Sequence, residues 1–176
     1  MIRDTKEGYG IVSLVLHWGM AIAIFALFAL GLWMVGLDYY SPYYKSAPDL
    51  HRSAGILMFA VLLLRIAWRL ANVKPDRAAL TPLERQASRL VHAAFYVLLV
   101  TLMLSGYLIS TADGRSIEVF NWFSVRSLGK SEGLEDAAGV VHEWVAYAVI
   151  SLAALHTAAA LKHRIFDRDK TSNRMW

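Results

Sequence analysis

The sequence contains no cysteine, and this absence excludes several kinds of redox site. There can be no disulfide, thiolate metal ligand, iron–sulfur cluster or covalent C-x-x-C-H haem attachment. Charged residues are also scarce, at 18% of the chain, whereas 57% is hydrophobic and the mean hydropathy is +0.41. A soluble domain of 176 residues would not need apolar residues in such long runs, so we expect an integral membrane protein.

Four apolar stretches are long enough to cross a bilayer as helices, which takes about 20 residues each. They lack the strict alternation of barrel strands. The first stretch is too long for a signal peptide and has no small-residue cleavage site after it. We therefore predict an all-α fold, a four-helix transmembrane bundle forming a single domain over residues 1–176. The predicted spans are 11–37, 53–71, 90–110 and 138–161.

Most basic residues lie on one side of these spans, in the N-terminal tail, the connection between spans two and three, and the C-terminal tail. By the positive-inside rule, both termini are predicted to be cytoplasmic. The basic excess is then a topology signal, and nucleic-acid binding is not needed to explain it.

Two connections are predicted on the outer side. The tyrosine-rich loop at 39–44 fits an aromatic belt at the membrane interface, with a lining for a redox partner as the alternative. The longer segment at 111–137 is expected to form a structured periplasmic cap, for which we consider a short amphipathic helix on the membrane.

Four histidines lie in the apolar stretches at two matching depths: His17, His51, His142 and His156. His17 and His156 are both about 9 Å from the inner ends of their spans, whereas His51 and His142 are both about 30 Å from that side. Two axial imidazoles make a six-coordinate haem that favours electron transfer over oxygen binding. The depths predict two bis-histidine haems, with His17 and His156 near the cytoplasm and His51 and His142 near the periplasm.

Several other residues have both a functional and a simpler interpretation. His92 is predicted to be shallower than His17 and is the alternative partner of His156. His163 can contact a haem propionate or a quinone headgroup, or be a solvated tail residue. Arg52, Arg65 and Arg69 can pair with propionates, although topological anchoring also explains the last two. Glycines that can allow close packing around haem, or simply between helices, are Gly19, Gly31, Gly55 and Gly106.

A metal transporter or a haem-free scaffold is the rival class. Metal sites of that kind usually recruit carboxylates beside histidine. The first three predicted spans contain no acidic residue within the membrane, and Glu143 lies at the outer rim of the fourth. Proton or metal transport is therefore disfavoured.

Short segments around these histidines resemble the bacterial cytochrome b561 family of small four-helix dihaem membrane proteins. They are Leu16-His17-Trp18, Leu50-His51-Arg52 continuing to Ile56, His92-Ala93-Ala94-Phe95-Tyr96, Val141-His142-Glu143-Trp144, Leu155-His156 continuing to His163, and the tail at 167–175. The resemblance covers essentially the whole chain. It implies that His17, His51, His142 and His156 are the axial ligands, which disfavours His92.

The resemblance also implies a function: two haem b groups carry electrons between a periplasmic donor or acceptor and the quinone pool of the bacterial inner membrane. Ubiquinone is the implied quinone, and its site is expected near His92 and His163. One branch resembles superoxide oxidase, but the acidic segment at 132–136 would repel an anion. A positive funnel from Lys45, Arg52, Arg115 and Arg126 keeps that alternative open. Carrier or quinone-linked oxidoreductase, and the oligomeric state, also stay open.

Overall fold

Four long helices make up the bundle in the computed structural model, which describes residues 1–75 and 81–167. They are α1 (Ile11–Met34), α2 (Ser46–Ala71), α3 (Pro82–Thr111) and α4 (Leu134–Lys162), and α4 continues into a π-helical turn at His163–Asp167. All four are long and apolar enough to cross a membrane, which confirms the predicted four-helix fold. The cytoplasmic orientation of the termini stays a prediction. Part of the basic inner connection (76–80) and of the C-terminal tail (168–176) lies outside the described residues.

Three of the four helices extend beyond the predicted apolar spans, whereas α1 ends at Met34, three residues before the predicted end at 37. A side-chain cap supports the extension of α3. At the start of α3, the Thr81 hydroxyl accepts the Glu84 backbone N–H at 3.3 Å, and the Glu84 carboxylate accepts the Thr81 N–H at 3.0 Å. Pro82 occupies the first turn, where its missing N–H costs nothing. The α3 helix therefore begins eight residues before the predicted span at 90–110.

The helices do not all pack equally closely. The backbones of three helix pairs pack closely: α3 with α4, α1 with α2, and α2 with α3. The helices of the pairs α1–α4 and α2–α4 pack less closely. A small apolar core lies at mid-height, formed by Met20, Met58, Leu62, Leu99 and Val149. The other large apolar side chains of the helices are half-buried or exposed, as expected for helices that face lipid.

The outer cap contains a β-hairpin, so the amphipathic helix considered for this segment was wrong. Strands β1 (Ile117–Val119) and β2 (Phe123–Val125) pair antiparallel. Side chains alternate along β1, with Ile117 and Val119 buried and Glu118 exposed, which is the period of a strand rather than of a helix. Phe120 and Asn121, at φ 48° and 58°, make the tight turn between the strands.

Ser53 fastens this hairpin to α2. Its hydroxyl donates to the Glu118 carbonyl at 3.2 Å and accepts the Phe120 backbone N–H at 3.2 Å. The cap is therefore attached to α2 at a residue that follows His51 by two positions in the sequence.

The N-terminal tail is fastened at the opposite end of the bundle. The Asp4 carboxylate accepts the Gly10 N–H at 2.7 Å and the Ser13 hydroxyl at 2.8 Å. The Ser13 oxygen in turn accepts the Trp68 indole N–H at 3.1 Å, which links α1 to the last turns of α2. A side chain at residue 10 would meet the Ile2 carbonyl at 2.3 Å, so only glycine fits there.

Candidate functional site

His51 of α2 and His142 of α4 face each other near the outer end of the bundle. Their ring centres are 6.2 Å apart and the ring planes are 73° apart. The His142 Nδ1 lies 3.0 Å from the Leu102 carbonyl oxygen and 3.1 Å from the Ser105 hydroxyl. Because a carbonyl can only accept, Nδ1–H donates and Nε2 keeps its lone pair. His142 therefore has the tautomer that a metal ligand through Nε2 requires.

Two glycines make room for these outer rings. A Cβ at Gly106 would lie 3.0 Å from the His142 Cε1, and a Cβ at Gly31 would lie 3.4 Å from the His51 Cε1. The sequence suggested these glycines for close packing around a macrocycle or between helices. The structure shows that they accommodate histidine rings. At Gly19 and Gly55 an added Cβ would meet no atom within 4 Å.

The His51 ring lies against a backbone carbonyl. Its Nδ1 is buried and makes no hydrogen bond of ordinary geometry among the described residues, but the Leu27 backbone carbonyl interacts with the ring as an acceptor. Because a carbonyl can only accept, this contact is similar to that of His142 with Leu102, and it leaves the other ring nitrogen available to a metal.

The inner site brings together three histidines. The ring centres of His17 and His156 are 6.4 Å apart, and those of His92 and His156 are 5.6 Å apart. The Phe95 ring also packs against His156 at 5.6 Å. His92 is thus as near to His156 as His17 is, although the sequence predicted a shallower position for His92 than for His17.

Hydrogen bonds distinguish the two possible partners of His156. The His92 Nδ1 is 2.6 Å from the Ser88 carbonyl, so it donates there. The His17 Nδ1 instead accepts from the Arg65 guanidinium at 2.9 Å, and the same guanidinium donates to the Met20 sulfur at 3.8 Å. A neutral His17 ring then carries its proton on Nε2, so these hydrogen bonds give the ligand tautomer to His92 rather than to His17. Arg65, which the sequence suggested for a propionate or as an anchor, therefore lies directly against the inner histidine site.

His163 lies beside the first turn of α3. Its Nε2 is 4.0 Å from the Glu84 carboxylate, which also pairs with Lys162 at 3.7 Å. The side chain is 15% exposed, so the alternative of a fully solvated tail residue does not describe it. These contacts join the inner end of α4 to the first turn of α3.

Arg52 lies at the outer surface in an ion pair with Asp49. It lines a cavity of about 600 Å³ between α2 and the hairpin, together with Arg115 and Glu118. Arg115 pairs with Asp113, and the pKa of that carboxyl is lowered because the Arg115 backbone N–H and guanidinium both donate to it. Two of the four arginines and lysines proposed for a positive funnel are therefore compensated by carboxylates.

The donor set at each site suits haem iron. An imidazole nitrogen binds a first-row metal at about 2 Å, and the ring centre lies about 1 Å beyond it, so two axial rings should be centred about 6 Å apart. The observed separations are 6.2 and 6.4 Å. Both pairs bridge helices that are not closely packed, α2–α4 and α1–α4.

A protein-only metal site has a different donor set. Within residues 1–75 and 81–167, no group of three or more His, Cys, Asp or Glu side chains is arranged to hold an ion. Zinc and similar ions need three or four protein ligands, whereas haem iron needs only the two axial ones. The two histidines of each pair therefore supply the number of protein ligands that haem iron needs.

Sequence reasoning missed the groups that support the ligands. Ser105, Phe95 and the Leu102 carbonyl carry no pattern of their own, since a helical serine, phenylalanine or leucine is common in any span. The glycines offered a signal, because Gly31 and Gly106 lie in apolar stretches where larger residues are expected.

Comparisons with known proteins agree with this geometry. A family model described as prokaryotic cytochrome b561 matches residues 8–176. A similar protein, cytochrome b561 homolog 2 of Escherichia coli (strain K12), is 45% identical over 174 residues, which cover 98% of this chain and 93% of the relative. The resemblance inferred from the histidine segments is confirmed.

Proposed function

The chain belongs to the prokaryotic cytochrome b561 family, and from this premise we propose that it carries two b-type haems in series across the membrane. Membership makes it a multi-pass inner-membrane protein that transfers electrons through b-type haem, and it sets aside the haem-free transporter or scaffold. We further propose that electrons pass between a periplasmic redox partner and the quinone pool. Carrier and quinone-linked oxidoreductase are both compatible with this route.

The proposal depends on one observation, which is that α4 faces two separate histidine partners. His142 meets His51 at 6.2 Å, and His156 meets His17 at 6.4 Å. Along α4, the two ligand positions are about 21 Å apart at 1.5 Å per residue. A haem bound at each pair would supply an iron centre that accepts and donates one electron at a time.

The protein side chains hold the ligands and keep water out. The Leu102 carbonyl and the Ser105 hydroxyl maintain the His142 tautomer. Between the two histidine levels, the buried side chains of Met20, Leu62 and Val149 fill the centre of the bundle. This apolar layer separates the two sites from each other by packed protein rather than by water.

We place the quinone at the inner end of the bundle, next to His163. Quinone reduction takes up two electrons and two protons, so a site for it needs hydrogen-bond donors and a group that can hold a proton. The His163 imidazole and the Glu84 carboxylate, 4.0 Å apart, provide both at the membrane surface. His92 lines a different cavity and is not required for this contact.

Superoxide oxidation is the second candidate, because the cavity between α2 and the hairpin is lined by residues on either side of His51 in the sequence, although neither His51 nor His142 lines it. Its cationic lining residues are Arg52 and Arg115. Their pairing with Asp49 and Asp113 removes most of the positive field that would attract an anion. A periplasmic protein partner is therefore the preferred donor or acceptor.

A pyridine haemochrome assay on the purified chain tests the cofactor count. We expect two haems per polypeptide, and one or none would overturn the proposal. Reoxidation of the reduced protein by a soluble quinone analogue tests the inner end, and a His163→Gln variant should slow it without changing the haem count. Reduction of the haems by superoxide, without any protein donor, would favour the second candidate.

A further inference from the structure

Two hydrogen-bonded contacts join α1 to α2 near the end of the bundle that carries the N-terminal tail. The Trp68 indole N–H donates to the Ser13 hydroxyl at 3.1 Å, and the Arg65 guanidinium donates to the His17 ring at 2.9 Å. Ser13 and His17 are four residues apart on α1, and Arg65 and Trp68 are three apart on α2. Residues at these spacings share one helix face, so the two contacts lie about one helical turn from each other.

The contact of Ser13 with Trp68 extends to the N-terminal tail. The Ser13 hydroxyl donates its hydrogen to an Asp4 carboxylate oxygen at 2.8 Å, which leaves its own oxygen available to the Trp68 N–H. Hydrogen bonds in series polarise one another, and this series ends on a charged acceptor, so both bonds are strengthened. A helical serine without such a partner can bond instead to a carbonyl of the preceding turn. Asp4 therefore keeps the hydroxyl in the orientation that bridges the two helices.

The backbone of the tail in turn holds Asp4 in place. The second carboxylate oxygen accepts the Gly10 N–H at 2.7 Å, and the Met1 carbonyl accepts the Ile11 N–H at 3.0 Å. Residues 1–10 thus form a folded segment that is fixed at the start of α1. The hydrogen-bonded series from Asp4 through Ser13 to Trp68 is here termed the tail clasp.

The contact of Arg65 with His17 is the one that can influence a redox group. Arg65 is half-buried, and its guanidinium also donates to the Met20 sulfur at 3.8 Å. The effect of a cation on a haem depends on the distance between them, and burial weakens the screening by water. A small displacement of α2 along α1 would move the guanidinium relative to the inner histidines. The tail clasp opposes that displacement from one turn away.

We propose that the tail clasp fixes the alignment of α1 and α2 that keeps Arg65 against His17, which makes Asp4 a positioning residue for the inner haem. The clasp thereby raises the potential of that haem, because a nearby cation favours the ferrous state. The inference rests on the proposed function, since it requires a haem at the inner site. It holds whether His17 or His92 is the second ligand, because the guanidinium lies beside the site in both cases.

Potentiometric titration of the haem-loaded protein tests the proposal with the uncharged variant Ser13→Ala. We expect the potential of the inner haem to fall, by less than in Arg65→Gln, while the outer potential and the haem count stay unchanged. Ser13→Thr keeps the hydroxyl and should keep the unmodified potential. Thr101→Val is the matched control and should shift neither potential, because it removes an exposed hydroxyl that donates within its own helix.

The variant Asp4→Ala separates positioning from a direct effect of the carboxylate charge. Removal of a negative charge by itself would raise the inner potential, because an anion favours the ferric state. Loss of the clasp should lower it, so the sign of the shift decides between the two explanations. Glu7→Gln removes an exposed carboxylate from the same segment and should not lower the potential.

The double variant Ser13→Ala/Arg65→Gln tests whether the clasp acts through Arg65. Its inner potential should equal that of Arg65→Gln alone, because the effects of residues that act through one another do not add. A clasp that only stabilises the bundle would shift the potential equally with and without Arg65, and that result would overturn the proposal. An unchanged inner potential in Ser13→Ala, or a raised one in Asp4→Ala, would overturn it as well.

Two further measurements keep the outcome clear. If Ser13→Ala loses the inner haem, Trp68→Phe removes the indole N–H and keeps an aromatic ring, and it should lower the inner potential in the same way. An unchanged potential in Trp68→Phe would then overturn the proposal. The unmodified protein reports on the proposed function separately: fewer than two haem couples there would reject the two-haem proposal, whereas two couples that are insensitive to the clasp would reject only the role of Asp4.

Discussion

The outer and inner histidine sites share α4 but are supported by different kinds of interaction. At the outer pair, a backbone carbonyl and a hydroxyl hold His142, and two glycines make room for the rings. At the inner site, a guanidinium contacts His17, and a third histidine lies 5.6 Å from His156. The outer site is thus held by shape and neutral dipoles, whereas the inner site includes a charge and an extra imidazole.

This difference predicts different sensitivities. A site held by close packing should respond mainly to added volume, because protein interiors tolerate small changes in volume poorly. A site that contains a buried cation should respond mainly to the loss of charge, which alters the relative stability of the two iron oxidation states. Substitutions at the ligands, the glycines and Arg65 separate these sensitivities.

Removing one ligand from α4 should eliminate one haem. His142→Ala should lose the outer haem and His156→Ala the inner one, each lowering the count from two to about one per chain, because an axial ligand has no substitute at the outer pair. Haem content and low-temperature EPR of the oxidised protein measure this, since each variant should lose a different low-spin signal. Loss of both haems from each variant would mean that the sites are not independent.

The two possible partners of His156 should separate in the same assay. His17→Ala should lose the inner haem, whereas His92→Ala should keep both, because the cytochrome b561 resemblance assigns the inner ligand to His17; the ring separations of 6.4 Å for His17 and 5.6 Å for His92 lie equally far from about 6 Å and do not decide between them. His92→Gln serves as the conservative control. The reverse pattern would make His92 the ligand.

A larger side chain at Gly106 or Gly31 should weaken haem binding at the outer site, and the effect should be larger where the added Cβ lies closer to a histidine ring. A Cβ at residue 106 would lie 3.0 Å from His142, so Gly106→Ala should weaken outer haem binding by about tenfold, which is typical when ligand support is disturbed. Gly31→Ala, where the distance to His51 is 3.4 Å, should change it about twofold or less. Haem retention during dilution into apomyoglobin measures both variants. Equal effects would show that these glycines do not position the rings.

Removing the positive charge of Arg65 should change the potential of the inner haem modestly and leave that of the outer haem unchanged. Arg65→Gln should lower the inner haem potential by on the order of tens of millivolts, because a nearby cation favours the ferrous state. The outer potential should stay unchanged. Arg52→Gln is the matched control, since Arg52 is exposed and already paired with Asp49. Potentiometric titration resolves the two couples, and a shift of the outer couple by Arg65→Gln would contradict the assignment of Arg65 to the inner site.

The linear sequence was sufficient for the bundle and for the histidine pairs. Long apolar runs force helices in a membrane, because no water is present to satisfy the backbone. Helical rise is constant, so residue counts from the span ends brought His17 level with His156, and His51 level with His142, as their ring contacts now show. Whether each pair ligates iron stays a prediction.

Only the tertiary structure decided what surrounds these rings. Contacts such as Leu102 to His142, Arg65 to His17 and Gly106 to His142 join different helices, and they depend on helix rotation and on where each helix begins. Apolar composition leaves both undetermined, because lipid accepts any apolar face. For the same reason the hairpin at 117–125 and the place of His92 beside His156 emerged only from the packed chain.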